Sequence, residues 1–88
     1  MNMQHGISRR SLADEVAARL QQQILSGQYK VGDQLPVEPE LMHQFGVGRS
    51  SIREAIKLLV NSGLLRVQQG IGTFVEDNSG VGEPWLSV

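Results

Sequence analysis

Two short amphipathic patterns joined by a glycine turn constrain the fold of this chain more than any other feature. The first pattern spans residues 38–45 and the second residues 49–61, with a Gly-Val-Gly turn at 46–48 between them. A later glycine pair, Gly70 and Gly72, hinges a predicted two-stranded hairpin. Helix, turn, helix and hairpin in this order predict a winged helix-turn-helix, a mainly α fold with three helices and a small β-hairpin.

The second helix pattern has two faces of different chemistry. Arg49, Arg53 and Lys57 recur every four residues, so they line one stripe of the helix. A stripe about a third of a turn away is apolar and consists of Ile52, Ala55, Ile56 and Leu59. An arginine that reaches a guanine edge discriminates that base by about 1–3 kcal/mol. The pattern therefore predicts a helix that buries one face and presents the other to the major groove of DNA.

The start of this helix also favours an anion. Gly48 lies at the N-cap position, and the hydroxyl residues Ser50 and Ser51 occupy the first turn. Small residues there leave the first free N–H groups open to a phosphate, which the positive end of the helix dipole attracts. A solvated helix face would explain any one of these residues, but DNA contact explains the whole set better.

Many positions agree in register with a known family. They are Leu35-Pro36, Glu38, Glu40-Leu41, Phe45-Gly46-Val47, Arg49, Ile52-Arg53-Glu54-Ala55, Gly63-Leu64, Gly70 and Gly72-Thr73-Phe74-Val75. Over roughly residues 8–76 the chain resembles the N-terminal domain of GntR-family transcriptional regulators. Its Arg-Glu-Ala run is similar to that of the FadR-type branch. The resemblance implies DNA contacts by the recognition helix, which spans residues 49–61, and by the tip of a wing that spans residues 65–76.

The candidate DNA-binding residues follow from the resemblance and from the basic stripe. They are Arg49, Ser50, Ser51, Arg53, Lys57, Gln69 and Gly70. Some neighbours depart from the family pattern. Val37 stands where a capping Ser is usual, and the missing cap costs about 0.5–2 kcal/mol of stability. Pro39 stands where the family has an Arg that reaches DNA, so one expected contact is absent. Ile71 stands at the wing tip where a charged residue is common. We expect its side chain to pack along the hairpin, and the alternative is a wedge against the sugar edges of DNA.

Composition limits the possible functions. The 88 residues form one small domain with 40% hydrophobic residues, and such a domain buries only about 60–65% of its unfolded surface. A catalytic cleft with its own walls would be hard to fit. The chain contains no cysteine, so neither disulfides nor thiolate metal sites form. We therefore predict no enzymatic activity, no cofactor and no metal.

The formal net charge of −1 is low for a DNA-binding domain. The distribution of the charge is more favourable to DNA binding than the total, because the region 45–70 carries four basic residues and the single acid Glu54. The charges that follow Gly72 are all acidic. We expect few phosphate contacts and weak, strongly salt-dependent binding by an isolated copy.

The flanking segments predict the domain organisation. Residues 1–10 are expected to form a flexible lead, and Ser11 to cap the first helix. The predicted apolar stripe of that helix comprises Leu12, Val16, Leu20 and Ile24, with Ala13, Ala17 and Leu25 beside them. The winged-helix domain then covers residues 11–76, and residues 77–88 form a linker or the start of a missing effector domain.

The predicted function is that of a sequence-specific DNA-binding domain in a bacterial repressor or activator of the cytoplasm. Its expected partner is a double-stranded operator, an inverted repeat read by a homodimer, because two-fold protein symmetry imposes operator symmetry. The resemblance implies a small-molecule effector bound only in a missing C-terminal domain, and no membrane partner is expected. Two alternatives remain: a winged helix that binds proteins without binding DNA, and the reader head of a regulator with a pyridoxal-phosphate domain.

Overall fold

Three helices and one hairpin make up the part of the chain that the structure describes. The computed structural model covers residues 4–76, with side chains described from Leu12 onward. The elements are α1 (Gln4–Leu25), α2 (Glu38–Phe45), α3 (Arg49–Asn61), β1 (Leu65–Gln68) and β2 (Gly72–Val75). This is the predicted winged helix-turn-helix. The linker expected at residues 77–88 lies outside the described residues.

The helix-turn-helix pair has the predicted bounds at both ends. Phe45 ends α2 because Gly46 adopts the left-handed conformation, with φ +67°, and donates its N–H to the Met42 carbonyl at 2.8 Å. This is the common glycine stop of a helix. Gly48 then takes an extended conformation as the N-cap of α3. Neither Gly48 nor Val37 caps its helix with a side chain, as their chemistry predicts.

The first helix begins earlier than predicted. It starts at Gln4, so Ser11 is an internal helical residue and not the N-cap. Residues 4–10, expected in a flexible lead, are helical. The physical reason is that helix propagation adds one hydrogen bond for each residue ordered, and this segment contains no proline to stop it. A serine is only mildly unfavourable inside a helix, so Ser11 alone does not define a boundary.

The apolar stripe of α1 is narrower than predicted. Ala13, Val16, Ala17 and Leu20 are buried, and Ile24 packs partly against the core. Leu12 and Leu25, however, are 49% and 69% exposed. With about 100° between successive residues, these two leucines fall about a quarter turn or more to either side of the stripe centre. They flank the buried face and do not belong to it.

The wing is an antiparallel hairpin, and a third segment of backbone pairs with its outer strand. Leu65 pairs with Val75 and Gln68 with Gly72. The loop after α1 runs beside β2, where Gln34 forms a bridge with Phe74. Backbone hydrogen bonds of 2.8–2.9 Å join Gly32 and Asp33 to Val75, and Leu35 to Thr73. The wing is therefore fixed to the body of the domain along its outer strand.

One core holds all these elements together. Its buried members are Val16, Ala17, Leu20, Leu35, Leu41, Ile52, Ala55, Ile56, Leu59, Leu64, Leu65 and Val75. They come from every helix, from both strands and from the loop after α1. Because α1 packs across α3, the buried face of α3 is fixed and its opposite face is directed to solvent.

Candidate nucleic-acid interface

The recognition helix α3 separates its apolar and basic residues as predicted. Ile52, Ala55, Ile56 and Leu59 are buried in the core. The arginines of the basic stripe are exposed, with 61% of the Arg49 side chain and 66% of the Arg53 side chain open to solvent. Lys57, one turn further on, is exposed as well. The helix thus presents three cations on a face that the core cannot cover.

The N-terminus of α3 points free backbone donors to solvent. Ile52 donates its N–H to the Gly48 carbonyl at 3.2 Å, which makes it the donor of the first turn's hydrogen bond. The N–H groups of Arg49, Ser50 and Ser51 precede that bond and have no carbonyl within the helix to accept them. Ser50 is exposed and Ser51 half-buried. This arrangement suits an anion at the helix start.

A carboxylate that sequence reasoning did not connect to this helix lies between its two arginines. Glu38, the first residue of α2, accepts a hydrogen bond from Arg53 Nε to its Oε2 at 3.3 Å. Its Oε1 lies 3.8 Å from Arg49 Nε. Sequence reasoning explained Glu38 by the dipole of its own helix. No local pattern signals the pairing, because Arg53 is 15 residues away in sequence and only the fold brings them together.

The two predicted wing contacts lie at the hairpin tip. Gln69 and Gly70 occupy the turn between β1 and β2, and both are exposed. Ile71 donates its N–H to the Gln68 carbonyl at 2.9 Å to close this turn, and Gly70 adopts φ +79° within it. The side chain of Ile71 is 58% exposed, so less than half of it is covered.

The tip is braced from the body of the domain. Gln34, in the loop before α2, donates from Nε2 to the Ile71 carbonyl at 3.0 Å. Gly72, with φ +155°, passes directly beneath this amide, and any Cβ at that position would collide with Gln34 Nε2. Its backbone conformation favours a glycine, and a Cβ at this position would also displace the Gln34 amide. The brace fixes the tip relative to the loop that carries Gln34.

The basic residue of the wing is held by its own neighbours. Arg66 donates from Nε to Glu76 at 2.9 Å and from Nη1 to Gln68 at 2.8 Å. Its guanidinium lies 5.1 Å from the centre of the Phe74 ring, within the range of a cation–π contact. Arg66 is therefore held along the sheet and away from the tip. Arg49, Arg53 and Lys57, by contrast, are exposed together on α3.

The described contacts join only some of the predicted site residues. Arg49 and Arg53 meet through Glu38. Between residues 12 and 76, no hydrogen bond or ion pair connects Lys57, Gln69 or Gly70 to that group. No cluster of His, Cys, Asp or Glu in the described part of the chain is able to hold a metal ion. No helix in the same part is long and apolar enough to cross a membrane.

Sequence comparisons identify relatives of this domain. The family described as "Bacterial regulatory proteins, gntR family" matches residues 12–75. The chain is 41% identical over 63 residues to the mannosyl-D-glycerate transport/metabolism system repressor MngR of Escherichia coli, covering 72% of this chain and 26% of the repressor. It is 36% identical over 90 residues to the transcriptional repressor NanR of Klebsiella aerogenes, covering 92% and 35% of the two chains. The chain spans about a quarter to a third of the length of these relatives.

Solved structures share both the fold and the sequence of this domain. The DNA-binding domain of AraR in complex with operator ORX1 superposes with a TM-score of 0.71 at 44% identity, over 73% of this chain and 77% of that one. The GntR protein of Streptococcus agalactiae gives a TM-score of 0.69 at 43% identity, over 77% of this chain and 33% of that one.

These matches agree with the resemblance carried by the helix-turn-helix and wing residues. The family consists of regulatory proteins, which confirms the prediction that the chain is not an enzyme. Because the family match covers most of the chain, from the first buried turn of α1 to the last residue of β2, the chain belongs to the GntR family of bacterial regulatory proteins.

Proposed function

We propose that this chain is a sequence-specific DNA-binding domain of a bacterial transcriptional regulator. The observation that carries the proposal is the two-faced recognition helix. Its apolar face is fixed in the core, and Arg49 and Arg53 stand exposed on the other face. The operator complexes of the similar AraR domain support DNA as the partner.

The dimensions of α3 suit the major groove. An α-helix with its side chains is about 10–12 Å across, and the major groove of B-DNA is about 12 Å wide. Arg49 and Arg53 lie one turn apart, so both guanidinium groups reach base edges from one docked helix. Lys57 lies one turn further along and contacts the phosphate backbone where the groove wall rises. Ser50, Ser51 and the free N–H groups at the helix start bind a phosphate.

The wing adds a second contact beside the groove. Gln69 and Gly70 lie at its tip, where a glutamine side chain and an exposed backbone meet the sugar-phosphate edge. The brace from Gln34 to the Ile71 carbonyl keeps this tip at a fixed position. Because Arg66 is held by Glu76 and Gln68, the wing contributes shape and hydrogen bonds more than charge.

We propose that the whole regulator extends beyond this domain, because the chain spans only about a quarter to a third of the length of its relatives. We propose a homodimer in which two heads read an inverted repeat, because a two-fold axis in the protein imposes one on the operator. A small-molecule effector bound in a further domain would change the spacing of the heads, as expected for the FadR-type branch. The relatives named as repressors support repression as the sign of regulation. DNA as the partner supports a location in the cytoplasm.

A binding selection tests the proposal. The chain is incubated at low salt with a pool of random duplex DNA, and bound duplexes are sequenced over several rounds. The double variant Arg49→Ala/Arg53→Ala is run in parallel. The parent should enrich a short motif rich in guanine, and the double variant should enrich none, because two bidentate arginine contacts are worth about 1–3 kcal/mol each.

The matched control is Arg19→Ala. Arg19 lies on α1, is 62% exposed and forms an exposed ion pair with Glu15 at 3.1 Å, so its loss removes one arginine outside the proposed interface. This variant should enrich the same motif as the parent. Equal binding of all sequences by all three proteins would reduce the interaction to non-specific phosphate contact. No binding by the parent would favour a winged helix that binds proteins.

A further inference from the structure

The carboxylate of Glu38 occupies a position that its own helix does not require. It spans two guanidinium groups one helical turn apart, with Oε2 toward Arg53 and Oε1 toward Arg49. The Glu38 side chain is 33% exposed, about half as much as either arginine. It is therefore more covered than the two arginines that it joins to the start of α2.

The backbone that carries this carboxylate is rigid. The Val37 carbonyl accepts hydrogen bonds from the N–H groups of Glu40 and Leu41, both at 3.0 Å. Leu41 is fully buried in the core. The first turn of α2 is thus attached to the interior, and Glu38 offers a fixed anchor to two otherwise mobile side chains. Each arginine is free to rotate about several bonds when it has no partner.

Stability alone does not account for these pairs. Ion pairs between exposed side chains contribute about 0–1 kcal/mol, and both arginines are well exposed. Their geometry has a different consequence. In both pairs the nitrogen nearest to Glu38 is Nε, so the outer edge of each guanidinium, formed by its two Nη groups, is left for another acceptor. A guanine presents two acceptors that fit such an edge.

We propose that Glu38 is a positioning residue that sets the specificity of DNA reading by Arg49 and Arg53. It holds the two guanidinium groups in the orientation that base edges require. As an anion beside the duplex, it also opposes binding to phosphates alone. Both effects raise the ratio of specific to non-specific affinity. The inference rests on the proposed function and adds to it the source of its discrimination.

The test is the variant Glu38→Gln, which keeps the size of the side chain and removes its charge. Dissociation constants are measured for two probes over a series of NaCl concentrations. One probe is the duplex enriched by the parent, and the other is a scrambled duplex of the same composition. The variant should bind the scrambled duplex about threefold more tightly, as expected when one charge about 6 Å from a phosphate is removed in water.

The specificity ratio should fall at the same time. With its two arginines no longer oriented, Glu38→Gln should lose about tenfold in the ratio of the two affinities, the size of one good base contact. The slope of log K against log salt should become steeper by about 0.9, which corresponds to one additional phosphate contact. Thermal unfolding should be nearly unchanged, because the pairs are exposed.

Two comparisons separate positioning from a simple change of charge. Glu40→Gln removes a charge two residues away in the same first turn, from a side chain that has no ion pair among residues 12–76. It should leave the specificity ratio within about twofold of the parent. In the Arg49→Ala/Arg53→Ala background, Glu38→Gln should have no further effect on discrimination, because the side chains it positions are gone.

The outcomes are distinct. If the parent enriches no motif, the proposed function fails and this inference fails with it. If the parent enriches a motif and Glu38→Gln keeps the full ratio, only the role of Glu38 is refuted. If Glu38→Gln loses preference at a base that the double arginine variant still reads, Glu38 contacts that base itself and the positioning role is likewise refuted.

Discussion

The close approach between Gly72 and Gln34 makes a specific prediction about the stability of the wing. Replacing Gly72 by alanine places a Cβ against Gln34 Nε2, with Cδ at 3.1 Å and Cγ at 3.4 Å from the new atom. The amide end of a glutamine is flexible, so it moves aside. In doing so it loses the hydrogen bond to the Ile71 carbonyl, now 3.0 Å long. The φ of +155° is also one that an alanine rarely adopts.

The expected cost has two parts. The unfavourable backbone conformation costs about 1–3 kcal/mol, and the lost hydrogen bond costs about 0.5–1.5 kcal/mol. For a domain of this size, each kcal/mol lowers Tm by about 4–8 °C. When Gln34 is first replaced by alanine, neither the collision nor the hydrogen bond exists. Gly72→Ala should then cost only the backbone part.

The assay is urea unfolding of four proteins: the parent, Gly72→Ala, Gln34→Ala and the double variant. The free energy of unfolding should show a coupling of about 0.5–1.5 kcal/mol between the two positions. Gly70→Ala is the matched control. Gly70 also has a positive φ, +79°, but a Cβ there would have no atom within 4 Å. Its cost should be the same with and without Gln34.

The reasoning is refuted if Gly72→Ala destabilises both backgrounds equally, within about 0.3 kcal/mol. The backbone conformation would then be the whole reason for the glycine, and Gln34 would not brace the tip. A coupling at Gly70 as large as at Gly72 would also refute it, because the effect would then belong to the turn as a whole.

Three further variants test the core and the start of α2. Leu20 is fully buried between the helices, so Leu20→Ala should lower the free energy of unfolding by about 2–5 kcal/mol. Leu12 is half-exposed on the same helix, so Leu12→Ala should cost less than about 1 kcal/mol. Equal losses in urea titrations would contradict the assignment of the buried face. Val37 is an exposed N-cap with extended backbone and no side-chain cap, so Val37→Ser should stabilise the domain by about 0.5–2 kcal/mol. A lower Tm for that variant would mean that the valine contributes packing that outweighs a cap.

Local signals predicted the centre of this fold well. The bounds of α2 and α3 follow from Gly46 and Gly48, because a left-handed glycine ends one helix and an extended glycine begins the next. The periodicity of α3 predicted its buried residues. The start of α1 was missed because a serine inside a helical segment and a serine at its N-cap look alike in sequence. Only the hydrogen bonds of the folded chain separate the two.

Contacts between distant residues account for what the sequence did not predict. Glu38 and Arg53 are 15 residues apart, and Gln34 and Ile71 are 37 apart. Both pairs depend on how the helices and the wing pack, and no periodicity within one element encodes that. A helix-start carboxylate such as Glu38 has a sufficient local explanation in the helix dipole. Because the dipole already explained Glu38, its contact with Arg49 and Arg53 was not predicted.

The electrostatics of this surface explain how a chain of net charge −1 is suited to reading DNA. Part of the acidic charge is neutralised locally, because Glu15 pairs with Arg19 and Glu76 pairs with Arg66. On the proposed interface the cations are Arg49, Arg53 and Lys57, and Glu38 already pairs with the two arginines. The salt slope of one head should therefore be no steeper than about −3. Glu38 lowers non-specific affinity further and raises discrimination. We propose that a single head binds weakly and that a second head, in a dimer, restores affinity because it binds at a high effective concentration. In such a dimer, weak ionic attraction in each head would leave the base contacts to decide which duplex is bound.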